Sequence, residues 1–316
     1  MQRMELILTA DDSIRLVGWR WLPDRRPPRA SVLILHGMAE HIQRYEEFSA
    51  FLCDKGYAVY GFDLRGHGKT GDLSAASGIL APLDGWNRVL ADIDLWVEKI
   101  RSEQPESPVV LFGHSMGSLL SKCYAARYGY KLRGMILSGP VSRPGLPGTI
   151  VSWITSISVM INGRIAPGKL VNQLIFRKYA RSVKDRRTDY DWLSRDTQQV
   201  DVYLRDPHCG QVLSIGFYQD LFKGLRDAYK QTTYKNTPNN LPIYIFAGSR
   251  DPVGGLSRGV TALYKEYRKA GVGNITLKFY SGARHELLNE TNRDEVYKDI
   301  LAWLNGKFPL PPDANG

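Results

Sequence analysis

Apolar positions along this chain follow two rhythms. Short continuous runs of β-type residues alternate with longer stretches where apolar residues recur every three or four positions. The runs are Ser31–Leu35, Tyr57–Phe62, Val109–Phe112, Arg133–Leu137, Leu241–Ala247 and Thr276–Tyr280. Continuous rather than alternating hydrophobicity is what a strand covered on both faces requires. The helical stretches are Tyr45–Cys53, Asn87–Glu103, the segment after Ser115, Ser257–Ala270 and Asp294–Lys307. In Asn87–Glu103 the residues Val89, Leu90, Ile93, Trp96, Val97 and Ile100 share one helix face. At the N-terminus, Met4–Leu8 and Ser13–Trp19 flank the turn-type cluster Ala10-Asp11-Asp12 and predict a hairpin. Strands alternating with helices predict an α/β fold: a mostly parallel sheet with helices on both faces and the hairpin at one edge.

The alternation stops between Gly139 and Asn240. Pro140, Pro144 and Pro147 open this stretch, and Asn236-Thr237-Pro238-Asn239-Asn240 closes it. Connections between neighbouring sheet elements are usually far shorter. The stretch reads as an inserted helical cap, 139–240, dividing the core into 1–138 and 241–316. Open α/β sheets carry ligands at the carboxyl edge of the strands, so a cap inserted there would cover the site. Its first helix begins with the apolar run 150–161, about 18 Å long as a helix. That is too short to span a bilayer, which takes about 20 apolar residues. Pro309-Leu310-Pro311-Pro312 is expected to end the fold.

Composition narrows this picture. Hydrophobic residues make up 43% of the 316 and charged residues 23%, which supplies a sizeable core for one large domain. The three cysteines, at 53, 123 and 209, have spacings that imply neither a disulfide framework nor a zinc site. There is no signal-peptide core and no spanning run, so a cytoplasmic protein is expected. The net charge of +10 is concentrated between Arg164 and Arg195 and in Arg25-Arg26-Pro27-Pro28-Arg29. No nucleic-acid-binding motif accompanies these clusters, so nucleic acid is not an expected partner. The charge serves either solubility or peripheral contact between the basic cap and an anionic membrane. Oligomeric state is not legible.

The chemistry centres on Gly113-His114-Ser115-Met116-Gly117, a G-x-S-x-G elbow between a buried strand and a helix. A sharp strand-to-helix turn would expose Ser115 above the helix N-terminus, whose free N–H groups suit a developing oxyanion. A serine nucleophile needs a base, and the base an orienting acid. Of the six histidines, His285 lies in a loop just past the last strand and is the expected base. His36 and His67 sit in glycine turns where imidazole satisfies backbone groups, and His114 is expected to point away from Ser115. His41 comes too early in the chain order, and His208 lies in the insert. Asp251, in a loop directly after another buried strand, is the expected acid, with Glu286 a second candidate. The order Ser115, Asp251, His285 is that of α/β-hydrolases. Backbone donors for the oxyanion are expected from Met116 and from Met38, in the loop after the third strand. Gly66-His67-Gly68-Lys69-Thr70 ends like a phosphate-binding loop, but Asp63 occupies the place of its first glycine.

With these residues in hand, the chain resembles the α/β-hydrolase branch that holds monoacylglycerol lipases and lysophospholipase-like serine esterases. The matching pieces are His36-Gly37-Met38-Ala39-Glu40-His41 with Arg44-Tyr45, Asp63-Leu64-Arg65-Gly66-His67-Gly68, the elbow, Asp251-Pro252-Val253 and Arg284-His285-Glu286. The cap matches more loosely, through Asp191-Trp192-Leu193-Ser194-Arg195-Asp196 and Asp206-Pro207-His208-Cys209-Gly210. Ser118 stands where the branch often has a further glycine, and Lys69-Thr70 replaces its usual small polar pair. The resemblance implies hydrolysis of an ester of a single fatty acyl chain through an acyl-serine, with a lipid-like substrate and neither metal nor cofactor. A lysophospholipase or general carboxylesterase is the alternative within this chemistry. A silent lipid-binding hydrolase is the alternative outside it. An aminopeptidase would call for acidic rather than basic cap residues.

Overall fold

The computed structural model describes residues 1–24, 27–74 and 76–309. Arg25-Arg26 of the N-terminal basic cluster and the terminus from Leu310 lie outside the described residues. Eight strands form one sheet: β1 (Gln2–Thr9), β2 (Arg15–Leu22), β3 (Ser31–Leu35), β4 (Ala58–Phe62), β5 (Val109–His114), β6 (Gly134–Ser138), β7 (Ile243–Gly248) and β8 (Ile275–Tyr280). Their spatial order is β1-β2-β4-β3-β5-β6-β7-β8. The predicted hairpin, β1 with β2, forms one edge and joins β4 antiparallel, while every later pairing is parallel.

The continuous apolar runs are explained by two cores, one on each face. Leu33, Leu35, Leu111, Met135, Leu137, Ile243 and Ile245 point to one. Val32, Ile34, Val110, Phe112, Ile136, Tyr244 and Phe246 point to the other. Helices α1 (Glu46–Asp54), α2 (Gly68–Leu73), α3 (Gly85–Glu103) and α4 (Met116–Tyr128) precede β6, and α5 (Leu146–Asn162), α6 (Lys169–Ala180), α7 (Thr197–Arg205), α8 (Ile215–Ala228) and α9 (Gln231–Asn236) separate β6 from β7. The last two are α10 (Arg258–Lys269) and α11 (Arg293–Lys307). The first core is covered by α3, α4, α8 and α10, the second by α1 and α11. Helix α2 occupies the stretch that resembled a phosphate loop: Asp63 accepts from Lys69 N (2.9 Å) and Ile42 N (2.8 Å). Among the described residues no helix is long and apolar enough to cross a membrane.

The stretch 139–240 is helical, but its helices do two jobs. Helix α8 packs on α3 and α4 as part of the layer over the sheet, and α9 packs on α4. Helix α5 packs on α8 and on α6.

One buried charge stands out. Lys122 on α4 is fully buried, with Nζ 3.6 Å from the centroid of the Tyr229 ring and 3.5 Å from Tyr234 Oη. Burial pushes its ammonium down from 10.5 to about 7. The unfolded chain therefore holds this proton up to about pH 10.5, and the folded chain only to about 7. Between those values stability rises with pH, and the full penalty applies below them. Lys122→Met is expected to raise the thermal midpoint by several degrees at pH 6, with the gain shrinking toward pH 10, as read by calorimetry.

Candidate active site

The elbow is built from local sterics. Ser115 adopts φ 51° and ψ −115° at the N-cap of α4, a region costly for any residue with a Cβ. Its N–H donates to Ser138 O (3.0 Å), tying the turn to β6. A Cβ at Gly113 would strike the Gly117 carbonyl and Ser121 Oγ, and one at Gly117 would strike the Leu35 carbonyl on β3. Both glycines are thus needed for close approach, one within the elbow and one between the elbow helix and its neighbouring strand.

Ser115 and His285 line the same cavity, and Asp251 lies behind the imidazole. His285 Nδ1 is 3.0 Å from Asp251 Oδ2, and Asp251 Oδ1 accepts from Val253 N at 2.8 Å. The two side chains are almost wholly buried. Burial alone would push the imidazole down. The charge and hydrogen bond of Asp251, helped by Glu286 and Glu40, outweigh it and raise His285 above its usual 6.5. Catalysis that needs neutral His285 should fall as pH drops through a value above 6.5. The acidic limb of kcat/KM is expected there, and in Asp251→Asn below it, because burial then acts without the carboxylate.

Met38 and Met116 line the same cavity, and among the described residues no group accepts from either backbone N–H. The Met38 loop is held from two sides. Gly37 N donates to Glu40 Oε1 (2.5 Å), and Ala39, with φ 57°, offers its carbonyl to Gly210 N (2.9 Å) and Tyr203 Oη (3.0 Å).

The other histidines sort by their partners. His36 donates from Nδ1 to Gly37 O (2.7 Å) and accepts at Nε2 from Leu64 N (2.9 Å), a neutral brace. His67 Nδ1 lies 2.9 Å from Arg65 O. His114 lines the cavity, and its ring lies 4.7 Å from that of His285. The strand ends at His114, so its side chain takes the floor beside the elbow. Burial, then the neighbouring His285, push it down to about 4, so it stays neutral. His41 and His208 face Asp206 and Asp72, each at 2.8 Å.

Glu286 is not the orienting acid. Its carboxylate receives both Arg44 nitrogens, at 2.6 and 2.7 Å, and Asn289 Nδ2 at 3.0 Å. Arg44 also donates to Glu40 (2.7 Å), whose other oxygen takes Tyr45 Oη (2.9 Å). Glu40, Arg44 and Glu286 thus link the Met38 loop to the His285 loop. Burial opposes the charge on Glu286, but Arg44 overrides it and holds the carboxyl near 2. Trp192, from the insert, covers His285 with ring centroids 5.4 Å apart. Glu286 N donates to Leu193 O (2.7 Å), so backbone also ties the insert to the His285 loop. The sequence alone gives neither Trp192 nor the Arg44 bridge a role. The i,i+4 pair Glu40–Arg44 was visible in the sequence, whereas its third member was not.

The cavity has a volume of about 420 Å³, ordinary for a small-molecule site. Its floor is polar and its walls are apolar, with Val151, Ile175, Leu221 and Leu225 among them.

A sheet of this order with this elbow defines an α/β-hydrolase with a serine at the nucleophile position. The family model described as serine aminopeptidase, S33, matches residues 26–292, and the chain belongs to that family. It is 30% identical over 298 residues to a monoacylglycerol lipase of Mycolicibacterium smegmatis, covering 92% of this chain and 93% of that one. Among solved structures, a thermostable carboxyl esterase from Bacillus coagulans in complex with glycerol superposes with a TM-score of 0.90. That esterase is 27% identical, with 98% of this chain and 99% of the other covered. A lipase in its open form gives 0.86 at 28% identity, covering 98% and 100%.

Proposed function

We propose that the protein hydrolyses carboxylic esters of single fatty acyl chains, as a monoacylglycerol lipase. The observation that carries this reading is a cavity with a polar Ser115–His285 floor and apolar walls supplied by the insert. The relatives' names support it. Ser115 Oγ attacks the ester carbonyl while His285 Nε2 takes its proton, and Asp251 holds the imidazole by Nδ1–H. The N–H groups of Met38 and Met116 stabilise the tetrahedral oxyanion. His285 then protonates the departing alcohol. A water deprotonated by the same imidazole attacks the acyl-serine and releases the fatty acid.

An aminopeptidase needs carboxylates free to bind the substrate's amine. The carboxylates lining this cavity, Glu40 and Glu286, are both held by Arg44. The substrate is expected to arrive from a lipid surface. Helix α5 exposes Leu146, Ile150, Trp153, Ile157, Met160 and Ile161. Nearby Lys169, Arg177, Lys178, Arg181 and Lys184 are exposed and have no ion pair among the described residues. The test compares kcat/KM for monoolein, lysophosphatidylcholine and a butyrate ester, with and without anionic vesicles. Monoolein should exceed the butyrate ester by about 10-fold or more, given about 1–3 kcal/mol per methylene in a fitted pocket. Anionic vesicles should raise its turnover. Preference for the butyrate ester would overturn the assignment.

A further inference from the structure

Away from the catalytic floor, the insert meets the core at a cluster of soft and borderline ligands. His41 follows directly on Glu40 in the loop after β3, and Asp206 and Cys209 lie just past α7. One ligand atom from each lies within 4.8 Å of the others. We propose that His41, Asp206 and Cys209, completed by His208, form a binding site for one divalent zinc-class ion that staples the insert to the Met38 loop.

The donor set selects the ion. An imidazole, a thiolate and a carboxylate suit Zn²⁺, whereas Mg²⁺ and Ca²⁺ prefer oxygen alone. Around a tetrahedral zinc with bonds of about 2.0–2.3 Å, ligand atoms lie about 3.3–3.6 Å apart. The cluster therefore closes with side-chain movements of about 1 Å. Asp206 Oδ2 and His41 Nε2 already touch at 2.8 Å. The fourth ligand is close. The His208 ring lies 5.6 Å from that of His41, and its Nδ1 lies 4.0 Å from Asp206 Oδ1. His208 Nε2 now faces Asp72 at 2.8 Å, so completing the site requires His208 to give up that surface contact. Four protein ligands make a closed, structural site rather than a catalytic one.

The charges around the cluster allow this. Arg44, whose charge reaches Cys209, is already neutralised by Glu40 and Glu286, and Arg205, the residue before Asp206, is exposed and turns its Nε to the Asp201 carbonyl. Asp63 and Asp72 add negative charge on the core side. Of the three cysteines only Cys209 is partly exposed, whereas Cys53 and Cys123 are buried. Protons balance simply. Cys209 releases its thiol proton to solvent, and His41 moves its N–H from Nε2 to Nδ1 so that Nε2 can coordinate.

The site would act on the loop beside the elbow. Gly210, next to Cys209, already holds the Ala39 carbonyl, and Glu40, next to His41, already holds Gly37 N. A metal bridging His41 and Cys209 adds a bond across this same junction. Binding only to the folded chain raises stability by mass action.

The test titrates chelator-treated full-length protein with Zn²⁺ by calorimetry, and with Co²⁺ by absorption. One saturable equivalent is expected, with a thiolate-to-Co²⁺ charge-transfer band and a zinc-dependent rise in thermal midpoint. Cys209→Ser should abolish the band and weaken zinc binding on the order of 100-fold, the share of one ligand in a four-ligand site. Asp206→Asn, nearly isosteric, gives an independent removal with the same direction. His285→Ala should leave the band intact, which separates this site from the catalytic histidine. Absence of a saturable equivalent, a Co²⁺ spectrum lacking the thiolate band, or binding unchanged in both Cys209→Ser and Asp206→Asn would overturn the proposal.

Discussion

Ser115→Ala is expected to lower kcat/KM on monoolein by about 10⁴–10⁶-fold, the range seen when a serine nucleophile is removed from a triad. The fold should be untouched. Alanine carries the same Cβ as serine, so the strained φ of 51° costs the same in both, and the backbone bond to Ser138 remains. The circular dichroism spectrum and thermal midpoint should therefore match the parent. Labelling by a fluorophosphonate probe should vanish with the activity. Retained turnover in Ser115→Ala would mean that another group attacks the ester. Turnover lost together with the fold would instead trace to the elbow's packing. This outcome also excludes a silent lipid-binding role, because a binder would show neither turnover nor labelling in the parent.

Arg44→Met is expected to be the most destabilising single change near the site, by about 3–5 kcal/mol. Arg44 is 7% exposed, and its partners Glu40 and Glu286 are 4% and 6% exposed. Removing the cation leaves two buried carboxylates with no cation between them, which costs more than the lost attraction. The pH dependence gives a signature. Arg44 holds Glu286 near 2 against an ordinary 4.5, so this carboxylate contributes stability above about pH 4.5 and loses it as pH falls toward 2. In Arg44→Met that acid sensitivity should disappear, and the deficit relative to the parent should shrink on acidification. Activity should fall too, since Glu40 holds Gly37 N and Glu286 sits beside His285. Adding Glu286→Gln to Arg44→Met should recover part of the stability, because one buried charge is then gone. Urea titrations between pH 3 and 8 measure both effects. An equal deficit at every pH would show that the bridge matters through packing alone.

Legibility in the sequence followed the range of the forces involved. Strand β5 and helix α4 were readable because their hydrophobic periods are local. Gly113 and Gly117 were readable because the elbow's collisions are largely local, although the partner of Gly117 turned out to be the Leu35 carbonyl on β3. Chain order and loops after buried strands single out Asp251 and His285 as candidates, and the structure brings their side chains to 3.0 Å. The surroundings of His114 are not legible in the sequence, because which way a strand-end side chain turns depends on what fills the space beside it. That space holds His285, far away in sequence. Helix α8 looked like part of a cap, yet half its work is to cover the sheet through Phe217, Leu225 and Ala228. A helix's second face is invisible until its neighbours are placed.

By itself, then, the sequence determined the parallel sheet with its antiparallel edge, the elbow at Ser115 and the candidate order of serine, acid and base. These rest on residue-to-residue sterics and short periodicities, which are written along one segment at a time. Only the tertiary structure decided that Glu286 belongs to Arg44 and not to the imidazole, and that Trp192 covers His285. It alone brought His41 to Asp206 and Cys209. Each of these joins side chains from segments far apart in the chain, and packing of the insert on the sheet is what brings them within a few ångströms.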